Sequence, residues 1–357
     1  MTDVLIRFAP VRVLPATENL GTASACCACK AVGQKPERHT RNIVREHTVA
    51  IEPETVDTLI TLRDWLRFAV SRFNAARLVY GHGTSNAFDE AAFVLLATLD
   101  LPVDQLEPWL DARLTRPERQ RLADIIVARI TTRKPAPYLT NCAYIRGRRF
   151  YVDDSVIVPR SYIGELLEGG LDGIVDDAAS IGRVLDLCTG GGSLAILAAL
   201  AFSNAHVDAL DISPEALHVA ARNVADYSLG DRITLIRSNL FAALEGQRYD
   251  LILSNPPYVT EAAVAAFPPE YKAEPVLAHL GGADGMDLVR DILANAAEHL
   301  ESTGHLVVEV GMGQVTLAAE YKHLPFLWLD TEESEGEVFA LPAGTLQAKV
   351  QHKKPRK

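Results

Sequence analysis

A chain of 357 residues, 48% of them hydrophobic, is long enough for two domains and a sizeable core. It has no apolar run long enough to cross a bilayer and no signal-peptide core, and its five cysteines follow no disulfide framework, so a reducing, cytoplasmic setting is expected. The net charge of −11, with 8 basic against 23 acidic residues between positions 183 and 342, argues against broad contact with nucleic-acid phosphates and favours a basic protein partner.

Residues 1–50 mix Pro, Gly, Thr and basic residues without a sustained period and read as a disordered arm. Cys26, Cys27 and Cys29 form a CCxC cluster there, with His39 as the candidate fourth zinc ligand. No second CxxC or HxxxH follows, so no metal site is expected. From about residue 56 to 132 the period is helical. Leu59, Leu62, Trp65, Leu66 and Val70 recur at three- and four-residue spacing as a core stripe, and residues 89–99 and 117–133 repeat the style. Residues 55–135 are therefore read as a small helical domain that docks the substrate. Tyr80-Gly81-His82-Gly83-Thr84 reads as a helix–helix connection, with a ligand or base role for His82 as the alternative.

Residues 141–160 change period. Ala143, Ile145, Phe150, Val152, Val156 and Val158 predict a β-hairpin with bends near Gly147 and Asp153-Asp154, ended by Pro159-Arg160-Ser161. After a helix at 163–171, strands and helices alternate, the mark of a parallel α/β sheet. Strands are predicted at 183–187, 206–210, 233–236, 249–253 and 305–310. A final pair at 326–329 and 337–341 makes seven strands, one of them antiparallel. Ser213-Pro214-Glu215 opens a helix with Ser as N-cap and Pro at its first position. Residues 163–342 form the large domain, and 343–357 read as a basic, flexible tail.

Two stretches carry chemistry. Asp186-Leu187-Cys188-Thr189-Gly190-Gly191-Gly192 sits at a strand-to-helix junction, where glycines admit a ligand and the helix N-terminus adds positive potential. Asp211, about twenty residues on, is placed to accept ribose hydroxyls. Gly190-x-Gly192-x-x-Ala195 also satisfies the dinucleotide fingerprint of a dehydrogenase. Asp186 tilts the reading away from a pyrophosphate and toward an α-amino group. S-adenosylmethionine, with its ribose, adenine, sulfonium and amino acid end, fits this set. The second stretch is Asn255-Pro256-Pro257-Tyr258, which ends the fourth strand of the sheet. The prolines stop the ladder and hold Asn255 extended. The Asn255 side-chain oxygen and the Pro256 carbonyl then form a pair of acceptors suited to an –NH2 group, with Tyr258 as a flat face beside it. The alternative is a plain strand terminator.

These residues resemble the class I S-adenosylmethionine-dependent methyltransferases of the protein-(glutamine N5) type. The resemblance rests on residues 184–196, Asp211, Asn255 to Tyr258 and the terminal hairpin, and covers about residues 55–342. Further stretches resemble the branch that methylates a glutamine of ribosomal protein L-three of the large subunit. They are Phe68-Ala69-Val70-Ser71-Arg72-Phe73-Asn74-Ala75-Ala76, Tyr80-Gly81-His82-Gly83-Thr84, Tyr138-Leu139-Thr140-Asn141, Val158-Pro159-Arg160-Ser161 with Ile163-Gly164-Glu165, and Pro269-Glu270-Tyr271 with Glu274-Pro275. The resemblance implies a Rossmann-like fold and a cofactor held by Cys188, Thr189, Gly190, Gly191, Gly192, Asp211, Asn239, Leu240 and Asn255, to which the reading of the loop adds Asp186. It implies that Asn255, Pro256, Pro257 and Tyr258 hold the target glutamine, with Asn255, Pro256 and Tyr258 at the reaction. The family usually has Asp where this chain has Asn239, which keeps an acceptor for the adenine but loses a charge. The remaining alternatives are a release factor as substrate, an adenine-N6 DNA methyltransferase, and a non-catalytic ribosome-assembly protein. No membrane contact and no direct DNA binding are expected.

Overall fold

The computed structural model describes residues 50–347. The arm at 1–49 with Cys26, Cys27, Cys29 and His39, and the tail from 348, lie outside the described residues.

The N-terminal described part is helical: α1 (Pro53–Thr58), α2 (Leu62–Ala75), α3 (Ala87–Thr98), α4 (Arg116–Thr132) and the short α5 (Ala136–Thr140). Local caps set their ends. At α2, Thr61 and Asp64 exchange hydrogen bonds, Thr61 N donating to Asp64 Oδ2 at 2.9 Å and Asp64 N to Thr61 Oγ1 at 3.2 Å. At α3, Asn86 Oδ1 accepts from the amides of Phe88 and Asp89. The apolar stripe expected on residues 59–70 is largely buried: Leu62, Trp65 and Leu66 join Phe73, Leu95 and Ile126 in one cluster. The Trp65 indole N–H, inside that cluster, donates to the Leu59 carbonyl at 2.9 Å.

The hairpin is shorter than the alternation at 143–158 predicts. β1 (Ala143–Ile145) pairs antiparallel with β2 (Arg148–Phe150) around Arg146-Gly147, both at positive φ, the geometry of a primed two-residue turn. Residues 152–158 are not a strand, although Val152, Val156 and Val158 are buried as the alternation requires. Side chains capture the backbone groups that a ladder would need. Tyr151 N donates to Asn223 Oδ1, Ser155 N to Asp153 Oδ1 and Val158 N to Glu274 Oε1.

The remaining elements are α6 (Tyr162–Glu168), β3 (Arg183–Leu187), α7 (Ser193–Ala201), β4 (His206–Asp211), α8 (Pro214–Asp226), β5 (Ile233–Arg237), β6 (Tyr249–Ser254), α9 (Glu261–Ala265), α10 (Asp287–His299), β7 (Leu300–Glu309), α11 (Gln314–Glu320), β8 (Leu327–Leu329), β9 (Val338–Pro342) and α12 (Ala343–Gln347). The sheet order is β5-β4-β3-β6-β7-β9-β8, with β3 to β7 parallel and β9 antiparallel to both its neighbours. This is the expected seven-stranded, mostly parallel α/β sheet. Separate apolar clusters cover its two faces, one including residues of α6 and α7, the other residues of α10 and α11. Ser213 caps α8 as expected, its Oγ accepting from Ala216 N at 3.1 Å. β7 starts five residues earlier than the apolar run at 305–310 indicates. Leu300 is fully buried against Tyr249, and a register shift carries the exposed residues 301–303 past it. Gly304 makes this passage possible, because a Cβ there would stand 2.9 Å from the Tyr249 carbonyl. Residues 343–347, expected as the start of a free tail, instead form α12, which buries Ala343 and Leu346 in the second cluster.

Candidate active site

Successive connections leave β3 toward β4 on one side and join β6 on the other. The strand order therefore reverses between β3 and β6, and the crevice at their carboxyl ends is where open α/β sheets bind ligands. The sequence-derived residues converge on that edge. Asp186 is the penultimate residue of β3, and residues 188–192 follow the strand. Asp211 ends β4, Asn239 stands two residues beyond β5, and Asn255 directly follows β6. Register pairs Leu187 with Ser254 and Asp211 with Arg237, so these ends are level. The Ser254 hydroxyl donates to the Leu187 carbonyl at 3.0 Å and ties the two central ends together.

The loop after β3 is bent by positive φ at Cys188, Gly190 and Gly192. Gly192, at φ +82°, strains any other residue, and a Cβ there would crowd the Ala220 Cβ at 3.1 Å. The loop is anchored at three points. Thr189 Oγ1 donates to Asp186 Oδ2 at 2.6 Å, Gly190 N donates to Asp211 Oδ2 at 2.8 Å, and Asn223 Nδ2 donates to the Gly191 carbonyl at 2.8 Å. Asn223 is buried and also exchanges two hydrogen bonds with the Tyr151 backbone, so one carboxamide joins the glycine loop to the segment after the hairpin. Asp186 is fully buried, and its Oδ1 has no hydrogen-bond partner. An orphaned acceptor behind a glycine cradle fits a ligand carrying an ammonium group. Burial pushes the Cys188 thiol up, which makes it a poor nucleophile.

A cleft lined by Cys188, Thr189, Gly190, Arg160 and Asn255, among others, opens here. Of the predicted site residues, Asp186, Gly192, Pro256, Pro257 and Tyr258 flank the cleft in sequence without lining it, and Asp211, Asn239 and Leu240 stand further along the same edge. Asn239 is exposed and precedes a tight turn at Leu240–Ala243, with Leu240 itself at φ +45°.

At the other end of the cleft, Asn255 Nδ2 donates to the Arg160 carbonyl at 3.0 Å. A carbonyl only accepts, so this contact assigns the amide orientation and turns Oδ1 away from Arg160. Pro256 is buried, and the Tyr258 hydroxyl donates to Glu309 Oε1 at 3.0 Å. Glycines surround this corner. A Cβ on Gly311 would lie 2.7 Å from the Tyr258 ring, and one on Gly285 would lie 2.2 Å from the Tyr258 carbonyl.

The segment at 268–280 folds back from this corner onto the N-terminal helices. Glu270, fully buried, ion-pairs with Arg133 at 2.7 Å and accepts from Val79 N at 3.0 Å. Glu274 accepts a bidentate grip from Arg160, while Nε2 of His279 and of His82 lie 3.0 and 3.4 Å from its Oε2. Burial alone would raise the Glu274 carboxyl, but the Arg160 charge and the neighbouring His279 and His82 rings hold it well below the usual range. His82 sits in the α2–α3 connection as expected, but it is buried, with its ring 4.4 Å from that of Tyr271. Burial lowers its pKa despite Glu274, so the ring stays neutral. Sequence reasoning did not single out Asn223, Glu274, Glu309, Gly281 or Gly285 as site residues. The available signals were Glu270 and Glu274 set between prolines in a segment with no apolar period, and Arg160 directly after a proline.

Burial pushes the carboxyls of Asp186 and Glu309 up to about 7, against the donors that favour their ions. For Asp186 this donor is the Thr189 hydroxyl. For Glu309 they are Ser161, Tyr258 and Tyr162. Both folded values exceed the ordinary ones, so their stabilising contribution is complete below the unfolded pKa and is lost as pH rises through about 7. Glu309→Gln removes one of these losses, so its denaturant midpoint is expected to rise relative to that of wild type between about pH 5 and about pH 8. Paired urea titrations of the two proteins across this range check it; a difference that does not change with pH would contradict the assignment.

A family model described as "Methyltransferase small domain" matches residues 174–267. Over 294 residues the chain is 54% identical to the ribosomal protein uL3 glutamine methyltransferase of Bradyrhizobium diazoefficiens, covering 81% of this chain and 92% of that protein. Identity to the protein of the same name from Bordetella pertussis is 55% over 283 residues, covering 79% and 95%. For that of Burkholderia pseudomallei it is 50% over 295 residues, covering 81% and 96%.

Proposed function

The chain belongs to the ribosomal protein uL3 glutamine methyltransferase family, and from that premise we propose that it methylates the side-chain amide nitrogen of a glutamine in protein uL3, using S-adenosylmethionine. The observation that supports this most directly is the bond from Asn255 Nδ2 to the Arg160 carbonyl, which leaves Oδ1 to face a donor.

The cofactor supplies an electrophilic methyl group on a positively charged sulfur. In this reading Asp186, with its unpartnered Oδ1, takes the amino end, residues 188–192 wrap the methionine part, and Asp211 takes the ribose. Asn239 and Leu240 stand by the adenine. An amide nitrogen is a weak nucleophile because its lone pair is shared with the carbonyl. Asn255 Oδ1 and the Pro256 carbonyl accept its two N–H bonds, with Pro257 and Tyr258 completing the grip. Charge developing on nitrogen is thereby stabilised in place, and the lone pair is aimed at the methyl. No general base is assigned; the surplus proton leaves to solvent after transfer.

The direct test is mass spectrometry of purified uL3 after incubation with this enzyme and S-adenosylmethionine. One added methyl on a single glutamine is expected. Incorporation into a release factor instead, or into DNA adenine, would replace this reading, and no incorporation into any of the three would end it.

The acidic charge of residues 183–342 fits a basic ribosomal protein. The KM for uL3 is expected to rise with salt while that for the cofactor stays nearly constant, because the charged surfaces are screened over about 8 Å at physiological ionic strength. Steady-state kinetics at low and high salt measure this; a salt-independent KM for uL3 would remove the electrostatic argument.

A further inference from the structure

Residues 158–162 pair with no strand, yet two buried carboxylates hold them from either side. Glu274 Oε1 accepts from Val158 N at 2.9 Å and from Arg160 Nη1 at 2.9 Å, and Oε2 accepts from Arg160 Nη2 at 2.8 Å. Glu309 Oε2 accepts from Ser161 Oγ at 2.6 Å and Tyr162 N at 2.9 Å, while its Oε1 takes the Tyr258 hydroxyl. Glu274 is 3% exposed and Glu309 2% exposed. Between the two grips lies the Arg160 carbonyl, which accepts from Asn255 Nδ2.

We propose that Glu274 and Glu309 are positioning residues: together they fix the Arg160 carbonyl and, through it, the orientation of the Asn255 carboxamide. The proposal rests on the reading of Asn255 given above. Its logic is the symmetry of a carboxamide. Oxygen and nitrogen have nearly the same shape, so without a fixed acceptor on one side Asn255 turns over as easily as not. Turned over, it offers N–H groups to the N–H groups of the substrate, and the grip on the target is lost. A pinned carbonyl excludes that state. Neither carboxylate needs to touch the substrate for this effect.

The test compares Glu274→Gln and Glu309→Gln with Glu270→Gln in the full-length enzyme, at saturating uL3 and cofactor. Glu270 lies in the same segment, is equally buried and also holds an arginine, but has no link to residues 158–162. A misplaced reacting group costs up to about 100-fold. The expected result is a kcat lower by about 10- to 100-fold for Glu274→Gln and Glu309→Gln, with cofactor Kd unchanged within about threefold. For Glu270→Gln, kcat stays within about twofold of wild type. Should Glu274→Gln not fold, Glu309→Gln puts the same question from the other side of the segment. Equal losses in all three variants, or losses confined to KM, would show that the carboxylates merely hold the fold together and would overturn the proposal. Wild-type kcat in both positioning variants would also overturn it. If Asn255→Ala is inactive while both positioning variants are normal, this inference alone fails; if Asn255→Ala turns over normally, the underlying reading fails with it.

Discussion

Asn255→Ala is expected to lower kcat by about 100- to 1000-fold, the loss seen when one preorganised group of a reaction site is removed. The variant deletes an acceptor from the pair with Pro256 and also removes the side-chain donor of the Arg160 carbonyl, Asn255 Nδ2 at 3.0 Å. Cofactor binding is expected to weaken far less. It loses at most one neutral hydrogen bond, worth about 1 kcal/mol or roughly fivefold in Kd. Asn255→Asp should fail as completely. The carboxylate has two acceptors but no N–H for the Arg160 carbonyl, so two oxygens would face each other at hydrogen-bond distance. Single-turnover methyl transfer, with the cofactor Kd measured separately, separates these effects. Turnover near wild type in either variant would remove Asn255 from the reaction.

Gly281→Ala is expected to cost about 100-fold in kcat while leaving the fold assembled. A Cβ there would stand 2.4 Å from the Gly285 carbonyl, 2.7 Å from the Pro257 carbonyl and 2.8 Å from the Tyr258 Cα, all of them backbone atoms. Relaxed contacts between carbon atoms lie at about 3.5–4.0 Å, so Pro257 and Tyr258 must shift by up to about 1 Å, and a shift of that size at a reacting group costs about 100-fold. The added methyl should lower stability by about 1–3 kcal/mol, as overpacking does. Gly230→Ala is the control, since a Cβ at Gly230 meets nothing within 4 Å. Thermal melts beside initial rates decide the matter; a Gly281→Ala enzyme as fast as the Gly230→Ala control would show that the corner tolerates displacement.

Much of the sheet was legible because its signals are local. Continuous apolar runs mark buried parallel strands, Ser213-Pro214 marks a helix start, and a double proline marks the end of β6. The glycine loop and the acids at the strand ends could be placed on one edge for the same reason, since parallel strands all finish at the same side. The hairpin was overextended for a complementary reason. The alternation at 152–158 reports burial correctly, but pairing depends on what else claims the backbone. Asn223 and Glu274, 72 and 116 residues away in the chain from the amides they accept, claim it first. The five-residue misplacement of the β7 start has a similar origin, in a register shift permitted by Gly304.

The sequence by itself determined the parallel sheet, the helical run before it and the loops that gather at the strand ends, because apolar period, caps and prolines act within a few residues. Only the tertiary structure decided which of many acidic side chains would be buried. As side chains, Glu270, Glu274 and Glu309 are the same as the exposed glutamates of this chain, and partners such as Arg133, Arg160 and Ser161 lie more than a hundred residues away. A carboxylate leaves water only where the assembled chain surrounds it with donors, so its place is a property of the fold rather than of any one stretch.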